Sequence, residues 1–172
     1  MKKIIFQILF VFLSFLLQST VFQAISFAGI VPNLLLVVTA SYGFMYGEKD
    51  GIWTGFAAGL LMDIFYANFI GLYALLYMMI GFLNGKFAGN YYPEYIKLPM
   101  SLITGSDLLL SMCCYVFLYL LRGRFHLSYY FVSIMLPEMV YTVLVTLILY
   151  PLILLANGNL RITKKRSGSD FV

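Results

Sequence analysis

The sequence predicts an all-α, polytopic membrane protein built as a bundle of about six transmembrane helices. Of its 172 residues, 62% are hydrophobic and only 10% are charged, and the mean hydropathy is +0.93. Soluble proteins contain about 25% charged residues, so this composition indicates a chain that lies in lipid. Each transmembrane helix needs about 20 apolar residues, so six of them use most of the chain. We therefore expect one integral membrane domain over residues 1–172 and no soluble domain.

Two apolar stretches predict the first three helices. Residues 4–24 form the first stretch and predict an uncleaved first span. The second stretch is interrupted by the charged cluster at residues 48–50. Three charges are costly in the middle of a bilayer, so this stretch predicts a hairpin of two short helices, 30–46 and 52–66.

Three further apolar runs predict the remaining helices, at residues 70–87, 98–121 and 130–156. A polar loop rich in tyrosine separates the first two of these runs, and tyrosine is typical of the headgroup layer. Residues 157–172 are predicted to form a basic cytoplasmic tail, which either contacts anionic membrane lipid or serves only as a topology signal after the last span.

The positions of the basic residues predict the orientation. With six spans, every Lys and Arg except Arg122 and Arg124 falls on the same side of the membrane as the two termini. Cytoplasmic loops carry the excess of Lys and Arg, so we expect a multi-pass protein of the inner (cytoplasmic) membrane with both termini in the cytoplasm. The basic residues flank apolar segments and do not line an exposed face, so we expect no nucleic-acid partner.

A glycine occurs at every fourth position from residue 43 to residue 59, and the series ends on an aspartate at residue 63. Four residues advance a helix by 400°, so a single glycine face of this length is geometrically impossible. We expect two short patches instead, one on each arm of the hairpin, and a further patch on the fourth helix. Small residues let helices approach closely in lipid, either inside the bundle or against a partner. The candidate contact glycines are Gly43, Gly47, Gly51, Gly55, Gly59, Gly81 and Gly85.

Asp63 lies near the outer, C-terminal end of the third predicted helix, where the helix dipole disfavours an acid. The carboxylate therefore needs a partner. We hypothesise that the partner is Arg122, Arg124 or His126 of an outer loop, or a residue of another protein.

Asp107 and Glu138 lie well inside the fifth and sixth predicted spans. Carboxyl groups within a membrane are costly, so we expect both to face the bundle interior. Two interpretations remain open. The pair forms a structural polar lock with neighbouring hydroxyl groups, or it forms a proton or cation relay.

Signatures of catalysis are absent from the sequence. It contains no P-loop and no HExxH motif, and its single histidine lies in a predicted surface loop. Adjacent cysteines at positions 113 and 114 lie in an apolar run and predict core packing. We expect no enzymatic activity, no cofactor and no metal site.

A set of short motifs resembles the MreD family of bacterial rod shape-determining membrane proteins. The matching segments are Pro32-Asn33 followed by three leucines, the glycine series leading to Gly59-Leu60-Leu61-Met62-Asp63, then Gly71-Leu72, and a later Gly-x-x-x-Gly. The family often has aspartate where this chain has Asn33. The positions that match the family motif are Pro32, Asn33, Gly59, Asp63 and Gly71.

The resemblance implies a non-catalytic subunit of the cell-elongation complex that helps organise lateral peptidoglycan synthesis. Its implied partners are an MreC-like single-span protein, RodA with its class B penicillin-binding transpeptidase, and the MreB filament. The resemblance also implies the fold of the substrate-binding subunits of energy-coupling-factor transporters. Two alternatives stay open: a vitamin-binding subunit of such a transporter, and a small proton-coupled transporter that uses Asp107 and Glu138.

Overall fold

The computed structural model describes residues 2–26, 29–67, 70–90, 97–119 and 130–167, and these residues are organised almost entirely as helices. The predicted all-α class is confirmed. The α-helices in chain order are α1 Lys2–Ser19, α2 Val21–Ala24, α3 Leu34–Tyr46, α4 Glu48–Tyr66, α5 Leu72–Lys86, α6 Lys97–Cys114 and α7 Leu136–Ser167. A 3₁₀ turn (Phe87–Asn90) follows α5, a π turn (Tyr115–Tyr119) follows α6, and a second π turn (Phe131–Met135) precedes α7.

Helix α3 is the centre of the bundle. All of its residues from Leu34 to Met45 are buried, and it contacts α1, α4, α5, α6 and α7. A helix that is apolar on every side is stable only when other elements enclose it completely. The leucine and valine residues in the first half of α3 meet this requirement, because each has an exposed fraction of 1% or less.

The segments long and apolar enough to cross a membrane, among the described residues, are Ile4–Ala24, Lys97–Leu118 and Phe131–Leu155. Helix α3 has only 13 residues, or roughly 20 Å at about 1.5 Å per residue, and is shorter than the ~30 Å hydrocarbon layer. Because α3 is enclosed by protein, its ends do not have to reach the headgroups. Its end groups must find polar partners within the bundle instead.

A single residue, Gly47, forms the reversal between α3 and α4. Its φ of 100° lies in the left-handed region, which glycine adopts at little cost. Helix α4 therefore begins at Glu48, four residues before the predicted start at 52. Glu48 and Asp50 lie in its first turn, where the helix dipole favours acidic side chains.

Glycines bring the backbones of α4 and α5 into direct contact. A methyl group added to Gly51 would overlap the backbone of Gly81, and one added to Gly55 would overlap the backbone of Tyr77. Gly59 meets the backbone of Ala74 in the same way. Without a hydrophobic driving force in lipid, this close approach is what allows van der Waals packing between two helices.

Two further candidate glycines, Gly43 and Gly85, pack at the same junction of α3, α4 and α5. Gly43 of α3 lies against Gly81, and Gly85 lies against the backbone of Glu48. Gly47 is different, because a methyl group there would meet no atom within 4 Å. Gly43 therefore packs against α5, whereas Gly47 provides the turn, and the two do not share a face.

We predict that Gly81→Ala destabilises the protein by about 1–3 kcal/mol, because the added methyl group overpacks the contact with Gly51. Gly105→Ala on α6 is the matched control. A methyl group there meets nothing within 4 Å, and alanine is the better helix former by about 0.5–1 kcal/mol. Thermal unfolding of the purified variants in lipid nanodiscs measures both effects. Equal unfolding midpoints for the two variants would contradict the packing described here.

Candidate functional site

The end of the bundle opposite the N-terminus of the chain holds a group of buried polar residues, which we call the polar end. Here α1, α4 and α6 end, and α3, α5 and α7 begin. The first N–H groups of a helix have no partner within that helix and must find one elsewhere. Burying a polar group in an apolar interior without a hydrogen bond costs up to several kcal/mol. The polar end therefore needs side chains that accept hydrogen bonds from these N–H groups.

Asn33 and Gln18 satisfy the start of α3. The Asn33 side-chain oxygen accepts a hydrogen bond from the Leu36 N–H at 3.1 Å, as an N-cap residue does. The Gln18 side-chain oxygen, from α1, accepts from the Leu35 N–H at 3.2 Å. The backbone N–H of Asn33 donates to the Thr142 hydroxyl of α7 at 3.1 Å. Three helices therefore meet through hydrogen bonds at the first turn of α3.

Tyr77 connects α5 to the same point. Its hydroxyl donates a 2.6 Å hydrogen bond to the Asn33 side-chain oxygen, which also accepts from Leu36. Tyr77 is fully buried, and Asn33 is 5% exposed. The Asn33 oxygen thus caps α3 and holds α5 beside it with the same acceptor atom.

Asp63 satisfies the start of α5. Its carboxylate accepts hydrogen bonds from the backbone N–H groups of Gly71 at 2.9 Å, Tyr73 at 3.0 Å and Ala74 at 2.9 Å. The carboxylate is only 1% exposed. Charge-assisted hydrogen bonds and the positive end of the α5 dipole both stabilise an ionised acid at this point.

The sequence suggested Arg122, Arg124 or His126, or a residue of another protein, as the partner of Asp63. The three named residues lie outside the described residues, so this hypothesis stays a prediction. In the described part of the chain, the N-terminus of a neighbouring helix supplies donors to Asp63. The unfavourable dipole at the end of α4 is offset by the favourable dipole at the start of α5.

Gly71 makes the turn into α5 possible. Its φ of 112° lies in the left-handed region. This conformation directs the Gly71 N–H at the carboxylate of Asp63. Pro32 is buried directly before the Asn33 cap of α3. The positions that match the family motif thus occupy the two helix starts of the polar end.

Asp107 of α6 and Glu138 of α7 interact electrostatically across the helix interface. Asp107 is 1% exposed. Thr142, one turn after Glu138, is the hydroxyl residue that interacts with Asp107. The structure therefore brings together the two acids that the sequence placed at mid-depth.

A cavity of about 340 Å³ opens at the polar end. Glu138 lines it, together with residues from α1, α4, α5 and α6 and from the segment before α3. Its polar lining includes Gln18, Asn33, Tyr66, Tyr73, Ser111 and Glu138. No group of three or more His, Cys, Asp and Glu side chains suited to a metal ion occurs in the described part of the chain.

Sequence reasoning missed Gln18 and Tyr77 as members of this site, and it considered Thr142 only as a hydroxyl partner for the two intramembrane acids. Each is a single polar or hydroxyl group within an apolar span, and that pattern was the available signal. The sequence does not show which helix starts these groups reach, because that depends on the packing of α1, α5 and α7 around α3. Cys114 is buried and Cys113 is partly buried, and both are free thiols.

We predict that Asp63→Asn lowers the free energy of unfolding by about 2 kcal/mol or more, because the charge-assisted hydrogen bonds to three N–H groups are weakened. Glu48→Gln, at an exposed position on the same helix, is the control and is expected to change stability far less. Thermal or denaturant unfolding in nanodiscs is the measurement.

Charge reversal separates the helix cap from the expected ion pair. We predict that Asp63→Lys is not rescued by Arg122→Glu or Arg124→Glu, because the backbone of α5 is the partner. Unfolding midpoints of the single and double variants test this. A double variant restored to the stability of the original chain would contradict the cap.

Comparison with known proteins adds one finding. A family model described as the rod shape-determining protein MreD matches residues 2–156. The matched region runs from α1 into α7 and includes the whole polar end. No curated protein and no solved structure matches the chain, so the expected likeness to energy-coupling-factor subunits stays a prediction.

Proposed function

The chain belongs to the MreD family of rod shape-determining membrane proteins, and from this premise we propose that it is a non-catalytic membrane subunit of the cell-elongation complex. In this role it helps to organise lateral peptidoglycan synthesis through helix contacts with other membrane proteins. The observation that carries the proposal is the family match over residues 2–156. It places the chain among proteins that determine cell shape.

The packing of the glycines supports a scaffold whose interior is complete. The close contacts of α3, α4 and α5 use Gly43, Gly51, Gly55, Gly59 and Gly81 within the chain. Partner helices must therefore bind to outward surfaces. We therefore assign these five glycines to packing inside the chain and not to contacts with a partner.

An outward surface suited to a helix lies on α6. Gly105 and Ser101 are four residues apart, both are exposed, and a methyl group at Gly105 would meet nothing within 4 Å. Small residues at this spacing let a second helix approach closely. We assign this surface to a transmembrane helix of an MreC-like single-span protein or of RodA with its class B penicillin-binding transpeptidase.

The opposite end of the bundle is assigned to the cytoplasm. Gly85 packs against Glu48, so the end of α5 lies beside the start of α4. The Gln7 side chain of α1 donates a hydrogen bond to Asp50, so the first half of α1 lies at the same end of the molecule. Lys49 and Lys86 both belong to helix ends on this side. This end carries basic residues, which supports the proposal that both termini lie in the cytoplasm, where this end meets the MreB filament and anionic lipid.

We predict that Gly105→Leu reduces co-purification of a single-span partner with a large extracytoplasmic domain and causes rod-shaped cells to round up. The added side chain blocks close helix approach on α6. Gly89→Leu is the matched control, because it also has open space around it but lies outside α6. Affinity purification from cells and microscopy are the measurements.

The same purification distinguishes the scaffold role from the role of a transporter subunit. Recovery of an ATPase module instead of a single-span partner would contradict the scaffold role and support a vitamin-transporter subunit. Normal cell shape in a strain that carries Gly105→Leu, with undiminished partner recovery, would contradict the assignment to α6.

We predict that a cysteine introduced by Lys49→Cys is not labelled by a membrane-impermeant thiol reagent added to intact cells, because this residue faces the cytoplasm. Ile70→Cys, 79% exposed at the polar end, is the control and is expected to be labelled. Labelling at position 49 from outside would overturn the orientation.

A further inference from the structure

Among the described residues, the lining of the cavity at the polar end is acidic and aromatic, and it includes no basic residue. Glu138 is the one charged side chain among its described lining residues, and Lys, Arg and His are absent from that lining. Apolar residues such as Ile30, Leu110 and Ile134 form much of the remaining surface. An apolar pocket with a few converging polar groups is the usual form of a small-molecule site.

Among the described residues, the groups that interact electrostatically with Glu138 carry no positive charge. Its carboxyl interacts electrostatically with Asp107, Tyr73, Tyr77 and Cys114, which belong to α5 and α6. Asp107 is itself 1% exposed. Ionised carboxyl groups in a low-dielectric interior are costly, and a bound cation offsets that cost.

The aromatic residues indicate what kind of cation fits. The rings of Tyr66, Tyr73 and Tyr130 line the same cavity as Glu138. The faces of aromatic rings attract ammonium groups, and this attraction strengthens when the cation is desolvated. A metal ion is a poorer fit, because the described residues bring no three His, Cys, Asp or Glu side chains together.

We propose that this cavity binds an organic ammonium group, with Glu138 as its counter-ion and the tyrosine rings as its walls. At about 340 Å³ the cavity lies at the small end of ligand pockets, so it accommodates a small amine or the headgroup of an aminolipid. Gln18 and Ser111 supply further hydrogen-bonding groups for a hydroxyl on the ligand. The proposal does not depend on the role in cell elongation.

The test uses the full chain in nanodiscs of phosphatidylglycerol, which carries no amine. Thermal unfolding is followed during titration with ethanolamine, with choline and with dimethylbutanol, the uncharged isostere of choline. We expect saturable stabilisation by an ammonium compound and none by the alcohol. A parallel sample in phosphatidylethanolamine nanodiscs distinguishes the source: stabilisation only there identifies a lipid headgroup, and stabilisation by dissolved ethanolamine or choline identifies a free amine.

Variants locate the site. Glu138→Gln keeps the shape of the side chain and removes its charge, so it is expected to weaken ammonium binding by about tenfold or more. Glu48→Gln, at the cytoplasmic end, makes the same chemical change outside the cavity and is expected to leave binding unchanged. Tyr66→Leu removes one ring from a half-exposed position and is expected to weaken binding by about two- to fivefold.

Tyr66→Leu keeps the test decisive if Glu138→Gln fails to fold. Three results would each overturn the proposal: no stabilisation by any ammonium compound or aminolipid, equal stabilisation by the uncharged isostere, or binding that is unchanged in the cavity variants.

Discussion

The structure depends on satisfying the backbone at the start of a short helix that is buried on every side. Helix α3 is enclosed from Leu34 to Met45 and has 13 residues, so its first N–H groups need hydrogen-bond acceptors from within the protein. Asn33 and Gln18 accept from these groups, and Thr142 accepts from the N–H of Asn33 itself. Because these acceptors come from α1, α7 and the cap itself, the requirement of one helix fixes the positions of its neighbours. Tyr77 adds α5 to the same arrangement.

A second helix start is satisfied in a related way, and the glycines make it possible. Gly59 lets the backbone of α4 touch α5 at Ala74. Asp63 lies one turn further along α4, so its carboxylate reaches the N–H groups of Gly71 and Ala74. A larger side chain at position 59 would hold the helices apart and lengthen these hydrogen bonds. Close packing and charge stabilisation are therefore parts of one structural unit, which explains why a glycine series ends on an acid.

The sequence was sufficient for the fold class and for part of the site. Apolar runs and few charges predicted a helical membrane bundle, because lipid leaves helices few alternatives. The 400° argument correctly excluded one continuous glycine face. The hydrogen bonds from the start of α5 to Asp63 could not be predicted in this way, since charge alone pointed to the loop cations at 122 and 124. The packing of α4 against α5 decides which N–H groups the Asp63 side chain reaches. Helical periodicity contains no information on that packing.

Membership of the MreD family places the polar end in a rod shape-determining membrane protein. The proposed scaffold role requires a rigid interior and adaptable outer surfaces. The most direct test of rigidity through the α3 cap is a double-mutant cycle between Asn33 and Tyr77, using Asn33→Ala, Tyr77→Phe and the double variant. We expect a coupling free energy of about 1 kcal/mol or more from unfolding in nanodiscs, because both changes remove the same 2.6 Å hydrogen bond. Additive effects, with coupling below about 0.3 kcal/mol, would contradict the account.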